Sequence, residues 1–417
     1  MLFVARKIFS GGEAGQVSAS AVRIATAGVA VGILVMIISI CVTIGFQNEI
    51  KDRVASVIGH GQVVNAQGIY RDLPVPIQIT DSLKNELASV TGVQHIRRFV
   101  LCPGMLKTRE SFRGVMFRGV DSDFDKAFIS SCLLEGCVPS FGVAENNAGD
   151  TSYPDSILVS SKIASAMGLH VGQRVYAYFF DSNLRVRKFL IAGIFQTYLA
   201  DYDTQMCYAD SRTIQKLSRW ENDQYSGAEI LLDGYEGIDS VYSSVSEVFF
   251  RKVDDYGHPY AVVRVEELFP QVFSWLDLLD TNVIAILILM LCVAGVTTVS
   301  GLLIIILERT SFIGVMKAMG ATNGQLRRVF LYLAAMIVVR GMISGNIIAA
   351  VLLSIQKYTG IISLDPANYY LDTVPVCFPW TEIIMINVIV LVVCVLVLVI
   401  PTYVISNIRP AKSMRYE

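Results

Sequence analysis

The chain has 417 residues, 53% hydrophobic and 17% charged, with a net charge of −2; soluble domains carry about 25% charged residues. A near-neutral chain has no global basic field, which excludes nucleic acid as a partner. The eight cysteines form no C-x-x-C pair and no Cys/His cluster, so no metal centre is predicted.

The charge deficit sits in four blocks. Residues 24–48 carry no charge. At 1.5 Å rise they span roughly 37 Å, enough to cross an apolar core of about 30 Å with some tilt. The block is too long for a signal peptide and no small-residue cleavage pattern follows it, so it reads as an uncleaved anchor.

Residues 49–272 read as a soluble α+β domain, with an option of two lobes. Gly61-Gln62-Val63-Val64-Asn65 and residues 112–120 look like strands. Residues 80–87 look like a helix capped by Thr80 or Asp81, and residues 160–168 like a short helix closed by Gly168. Residues 175–180 and 184–195 flank the turn cluster Asp181-Ser182-Asn183, which predicts a hairpin. Helices over 210–219 and 238–249 complete the domain, and residues 139–154, rich in Pro, Gly, Asn and Asp, read as its flexible loop. Cys132 and Cys137 are near enough in sequence for a disulfide, although spacing alone does not decide pairing. Cys41, Cys292 and Cys394, in the apolar blocks, read as small core hydrophobes.

The second span is drawn at 273–307, of which 281–307 is uncharged. A loop, 308–328, separates it from the third span, 329–356, whose one interruption is Arg340. A charge near the middle of a span costs about 2.5–3.5 kcal/mol on insertion scales. No Asp or Glu lies in residues 24–48, 281–307, 329–356 or 383–408, so Arg340 is expected to use backbone carbonyls, Asn346, Asn387 or a lipid phosphate; contact with a transported substrate is the sharper alternative. A short outer loop, 357–382, leads to the fourth span, 383–408, and a tail, 409–417. Arg6, Lys7 and Arg23, then Arg309, Lys317, Arg327 and Arg328, then Arg409, Lys412 and Arg415 all fall on one side, which the positive-inside rule assigns to the cytoplasm. Both termini and Thr322 are then inside; the domain, with Cys132 and Asn146, is outside.

Nucleotide and hydrolase chemistry is not visible. Gly11-Gly12-Glu13-Ala14-Gly15 lacks the lysine of a phosphate-binding loop, and there is no H-E-x-x-H or G-x-S-x-G. Any uphill transport therefore requires ATP hydrolysis in another chain.

The loop after the second span reads Glu308-Arg309-Thr310-Ser311-Phe312-Ile313-Gly314-Val315-Met316-Lys317-Ala318-Met319-Gly320-Ala321-Thr322, followed by Gln325-Leu326-Arg327-Arg328. It resembles the cytoplasmic loop of the FtsX/MacB superfamily of ABC transporter permeases. In that loop Glu-Arg, Ile-Gly, Lys/Arg-Ala-x-Gly-Ala and Gln-Leu/Ile-Arg recur in this order. The tail Pro410-Ala411-Lys412-Ser413-Met414-Arg415-Tyr416-Glu417 looks like the family's ending, and residues 157–175 resemble a segment of its external domain. Length favours the lipoprotein-releasing permeases LolC and LolE within that superfamily: FtsX proper is usually shorter, and MacB carries a fused N-terminal ATPase. Residues 1–23, opening Leu2-Phe3-Val4-Ala5-Arg6-Lys7-Ile8-Phe9, look like the family's N-terminal amphipathic helix.

The resemblance implies a multi-pass protein of the bacterial inner membrane, with a MacB-like periplasmic core, that is not itself an enzyme. A LolD-like cytoplasmic ATPase dimer would bind Mg-ATP, this chain holding no cofactor, and would work two permeases by mechanotransmission. The second permease would be another copy or a paralogue. The substrate would be lipoprotein, drawn from the outer leaflet among membrane lipids and passed to a LolA-like periplasmic carrier towards the outer membrane. The hairpin around Asp181 and Arg187 looks short for carrier recruitment, which suits a LolE-like role or a homodimer. MacB-like efflux and FtsX-like regulation of a periplasmic cell-wall hydrolase are the alternatives.

Two candidate sites follow. Ile313, Met316, Met319 and Gly320 recur at helical spacing, flanked by Glu308, Arg309 and Lys317; the resemblance makes this a knob in an ATPase groove, while the periodicity alone fits a surface helix on lipid headgroups equally well. At the outer ends of the first two spans lie Ile44, Phe46 and Ile50, and Phe273, Trp275, Leu276 and Leu279. Phe46, Ile50, Phe273 and Leu276 are expected to line an acyl-chain entrance; Trp275 alone is as well explained by an interfacial aromatic belt.

Overall fold

A computed structural model describes residues 16–69, 73–142, 155–180, 184–232, 234–235, 237–365, 369 and 371–402. Residues 1–15 of the N-terminal segment, most of the 139–154 loop, the 181–183 turn and the C-terminal tail discussed above lie outside the described residues. The chain separates into two compact units: residues to Glu49, Ser274–Leu364 and from Thr373 form one, and Ile50–Phe273 with Asp365–Asp372 the other.

The first unit is helical. Its helices, here one to four, are Gln16–Ile58, Pro270–Glu308, Asn323–Thr359, and Trp380–Val397 continued by Val399–Thr402. All four are long and apolar enough to cross a membrane. Pro401 explains the break at Leu398, because it has no N–H to bond the carbonyl four residues back. Helix three starts at a capping box: Thr322 Oγ1 accepts from the Gln325 N–H and Gln325 Oε1 from the Thr322 N–H.

Small residues bring these helices together. A Cβ on Gly341 would fall 2.9 Å from the Thr26 carbonyl, and one on Gly345 would fall 2.6 Å from that of Ala30. The Gly-x-x-x-Gly face of helix three thus lies directly on helix one. Gly28 of helix one gives the same room to Thr297 of helix two. Helices three and four are joined by reciprocal amide bonds between Asn346 and Asn387, 2.7 and 3.1 Å. Among the cysteines of this unit Cys41 and Cys394 are buried, but Cys292 is exposed on helix two, contrary to its reading as a core residue.

The second unit is α+β. Its strands are β1 (Gly61–Asn65), β2 (Ile77–Gln78), β3 (Val93–Lys107), β4 (Phe112–Val120), β5 (Leu133–Gly136), β6 (Ser156–Ser160), β7 (Arg174–Phe180), β8 (Leu184–Phe195), β9 (Met206–Asp210), β10 (Gln224–Tyr225), β11 (Gly227–Leu232) and β12 (Tyr260–Arg264). β3 is long enough to serve two layers. Its first half pairs with β11, which leads through β1 to β12; its second half pairs with β4. From β4 the pairing runs through β9, β6, β8 and β7 back to β3, so these strands close into a ring. Alternation fills it: Val175, Ala177 and Phe179 of β7 are buried while Arg174, Tyr176 and Phe180 point out. Phe117, Phe179 and Phe189 meet inside with centroids 4.9–6.4 Å apart.

One apolar cluster extends from Val63 and Ile77 to Phe189 and Phe249, so the domain has a continuous core rather than two lobes. The short helices start on side-chain caps: Thr80, not Asp81, accepts from the Leu83 N–H, Ser160 from Ile163, and Asp210 from Arg212 and Thr213. Cys132 and Cys137 are not bonded to each other.

Candidate functional site

Helix two ends at Glu308, where Arg309 leaves helical geometry (φ −101°, ψ 23°). A separate helix, Thr310–Ala318, follows. Its C-terminal end is closed by backbone bonds from Gly320 to Lys317 and from Ala321 to Met316, with Gly320 at φ +93°, where a side chain would be strained. The short helix suggested by the spacing thus forms part of a compact elbow between helices two and three.

The apolar stripe in this elbow divides. Ile313 is fully buried, and Met316 packs half-buried against the core shared by Leu326, Phe330 and Leu333. Met319 is 71% exposed, Gly320 is exposed, and Val315 and Ser311 share Met319's outer side. Glu308 is exposed, whereas Arg309 and Lys317 are half-buried. The residues grouped by spacing do not lie on one surface: Ile313 and Met316 seat the elbow, and Val315 with Met319 forms its outer apolar face.

The opposite ends of helices one and two carry the second candidate site. Phe46 and Leu276 are buried in the membrane unit, and Ile50 and Phe273 in the external unit, so the four do not fall within one unit. Within the membrane unit, Phe46 meets Trp275 edge-on at 5.5 Å. Beside this pair, Gln47 Nε2 donates to Asp280 Oδ1 at 2.8 Å and to the Leu276 carbonyl at 3.2 Å. Sequence inspection passed over this polar clasp, because Gln47 and Asp280 reveal themselves only when the helices are side by side. Trp275 is half-buried against Phe46, so more than an aromatic belt holds it.

Helix one does not stop at the expected residue 48. It runs to Ile58, and its last turns, with Ile50, Val54, Ala55, Val57 and Ile58 buried, belong to the external unit. Arg97 Nη2 donates to the Ser56 carbonyl at 3.2 Å. Immediately beyond the helix, the His60 carbonyl accepts from the Val265 N–H at 3.1 Å and from the Tyr242 hydroxyl. His60 Nδ1 accepts from the Leu232 N–H at 3.1 Å. Burial, reinforced by Arg97, lowers the imidazole's affinity for a proton, so the ring is neutral with its hydrogen on Nε2.

Arg97 belongs to a buried charge group. Glu229 of β11 pairs with Arg97 at 3.1 Å and with Arg118 of β4, and Arg118 lies over the Phe99 ring at 4.8 Å. Burial and the neighbouring Arg118 bring the Arg97 guanidinium down to about 10, still charged at neutral pH. None of this was legible from the sequence, where these residues lie far apart on separate strands.

Arg340 lies near the midpoint of helix three, Asn323–Thr359, as its place in the sequence suggests. Helices one and three run parallel, with Gly341 against Thr26 and Val29 and Gly345 against Ala30 and Ile33. Arg340 is therefore level with the first turn of the charge-free block that starts at residue 24. Asn346 and Asn387, named above as partners for it, hydrogen-bond each other. No group of three or more His, Cys, Asp or Glu suited to a metal occurs among the described residues.

The FtsX-like permease C-terminal family matches residues 282–410, and the MacB-like periplasmic core domain family matches residues 24–248, more than half of the chain. The chain is 23% identical over 411 residues to the lipoprotein-releasing system transmembrane protein LolC of Xylella fastidiosa, covering 94% of this chain and 92% of the relative. It is 19% identical over 428 residues to the LolE protein of Haemophilus influenzae, covering 99% and 98%. The solved periplasmic region of MacB from Actinobacillus actinomycetemcomitans aligns with 52% of this chain and 95% of its own, at 11% identity and a TM-score of 0.34.

Proposed function

Because this chain belongs to the FtsX/MacB family of ABC transporter permeases, we propose that it is the permease through which a separate cytoplasmic ATPase drives lipoproteins out of the outer leaflet of the inner membrane, for delivery towards the outer membrane. Helix one supports this most directly. It is a single helix of 43 residues whose far end is buried in the external unit. An unbroken helix carries a displacement along its axis, which suits mechanical transmission better than a channel. The elbow between helices two and three supplies the other end of the device: Ile313 and Met316 fix it to the bundle, and Val315 and Met319 present an apolar surface to the ATPase, with Glu308 beside them. Arg309 and Lys317 lie half-buried on its flanks.

Each buried CH₂ holds a lipid chain by about 0.8 kcal/mol, so removing an acylated protein from the bilayer requires an energy source. In this reading the acyl entrance is the one expected at Phe46, Ile50, Phe273 and Leu276; within the membrane unit Phe46 and Leu276 are buried beside the Gln47–Asp280 clasp, which would break as helices one and two part. Full or near-full coverage of relatives named for lipoprotein release favours this substrate over efflux or cell-wall regulation. A photo-crosslinking residue at Phe46 or Leu276 in the assembled complex should capture lipoprotein before ATP is added and lose it afterwards. Crosslinks to phospholipid alone, unchanged by ATP, would remove the entrance. Co-purification with an outer-membrane channel and adaptor, or with a peptidoglycan hydrolase, would replace lipoprotein release by efflux or regulation.

A further inference from the structure

Within the membrane unit, the segment that leads into helix four lies directly on the outer half of helix one. The Cys377 N–H donates to the Cys41 carbonyl at 3.2 Å. One turn further along helix one, a Cβ on Gly45 would fall 2.8 Å from the Cys377 nitrogen and 2.9 Å from the Pro375 carbonyl oxygen, so only a glycine admits the segment there. Val376 and Phe378, on either side of Cys377, pack on the core of the unit. Helix three holds the start of the segment: Gln356 Nε2 donates to the Val374 carbonyl at 3.3 Å and to that of Ile362 at 3.2 Å. Cys41 is fully buried and Cys377 half-buried. By standard covalent geometry the backbone bond keeps their Cα atoms within about 6.5 Å, inside the limit of about 6.8 Å for a disulfide. The two thiols are also near enough to act on each other electrostatically.

We propose that Cys41 and Cys377 are a redox pair, whose reversible disulfide fastens helix one to the segment leading into helix four. The segment is on the periplasmic side, where disulfides form and persist. The oxidant is itself a disulfide, of a small molecule or of an oxidoreductase. The Cys377 sulfur, as thiolate, attacks it and releases one of its sulfurs as a thiol; the Cys41 sulfur then displaces the other, which leaves with the Cys41 proton. Two cysteine thiols are oxidised and one disulfide is reduced to two thiols. Helices three and four are already joined through Asn346 and Asn387, so the bond ties helix one covalently to that pair. Helix one then cannot travel along its axis past them, and oxidation acts as a brake. The brake, unlike the disulfide, rests on the transmission role proposed above.

The test treats the full chain in membranes with oxidised glutathione or with dithiothreitol, then denatures it, alkylates free thiols and maps the peptides by mass. After oxidation the Cys41 and Cys377 peptides should be joined, and dithiothreitol should separate them. This readout needs no variant, so it does not depend on a substitution at a buried site folding. Alkylation of both cysteines after oxidation would overturn the pair. So would Cys377 joined to glutathione, or to a second copy of the chain, with Cys41 alkylated. In the reconstituted complex, oxidation should abolish ATP-driven release, reduction should restore it, and Cys377→Ala should respond to neither. A mapped disulfide with release unchanged would uphold the pair and count against axial travel of helix one. A mapped disulfide in a complex that releases no lipoprotein even when reduced would uphold the pair and overturn the substrate reading instead.

Discussion

Glu229 is a 3% exposed carboxylate between two buried guanidinium groups, where the strands of the external domain converge on the last turn of helix one. Removing one member of such a group strands the others without solvent, at a typical cost of about 3–5 kcal/mol. Glu229→Gln should lower the thermal midpoint of the full chain accordingly; an unchanged midpoint would show that the charges find compensation elsewhere. His60 gives a pH signature. Its folded affinity for protons lies below the ordinary value of 6.5 because it is buried and faces Arg97. The unfolded chain therefore takes up a proton that the folded chain refuses, and stability falls as pH drops below about 6.5. His60→Asn cannot titrate, so its midpoint should decline less between about pH 7 and pH 5. Parallel declines in the two proteins would acquit His60.

At the scale of the element, the elbow helix Thr310–Ala318 separates packing from contact. Ile313 is enclosed by the bundle and Met319 projects from it. Ile313→Ala should therefore cost about 2–5 kcal/mol of stability. Met319→Asp should leave stability within about 0.5 kcal/mol, as surface changes usually do. If the outer face meets the ATPase, Met319→Asp should abolish transport-coupled ATP hydrolysis in the reconstituted complex while the midpoint stays put. Normal coupling in that variant would leave the elbow a headgroup-resting helix. The same residues show why spacing was insufficient. A period of three and four identifies a stripe, but an amphipathic helix has one stripe whether it faces its own bundle or a partner.

For the whole molecule, the external domain is periplasmic and the elbow cytoplasmic. Cys137 is exposed in the domain and offers a native reporter. A membrane-impermeant maleimide applied to intact spheroplasts, with labelled positions mapped by mass, should modify Cys137 and spare a cysteine placed at Thr322. Labelling at Thr322 would invert the topology and with it the coupling scheme. Arg340 is a charge at the middle of its own helix, and across the Gly341 contact it is level with the first turn of helix one's charge-free block.

The sequence by itself determined that four helices enter the membrane, which way they run, and that an α+β domain separates the first two. These follow from how apolar length and Lys/Arg placement partition between water and lipid, a choice each segment makes largely on its own. Cap positions and the glycine turns were equally legible, because the atoms that satisfy them lie within a few residues. Tertiary structure alone decided the strand ring closed by β7, the extension of helix one to Ile58, the Glu229 charge group and the Gln47–Asp280 clasp. Each joins groups tens to hundreds of residues apart, and the free energy that fixes them, desolvation offset by a partner, exists only once the partner has arrived.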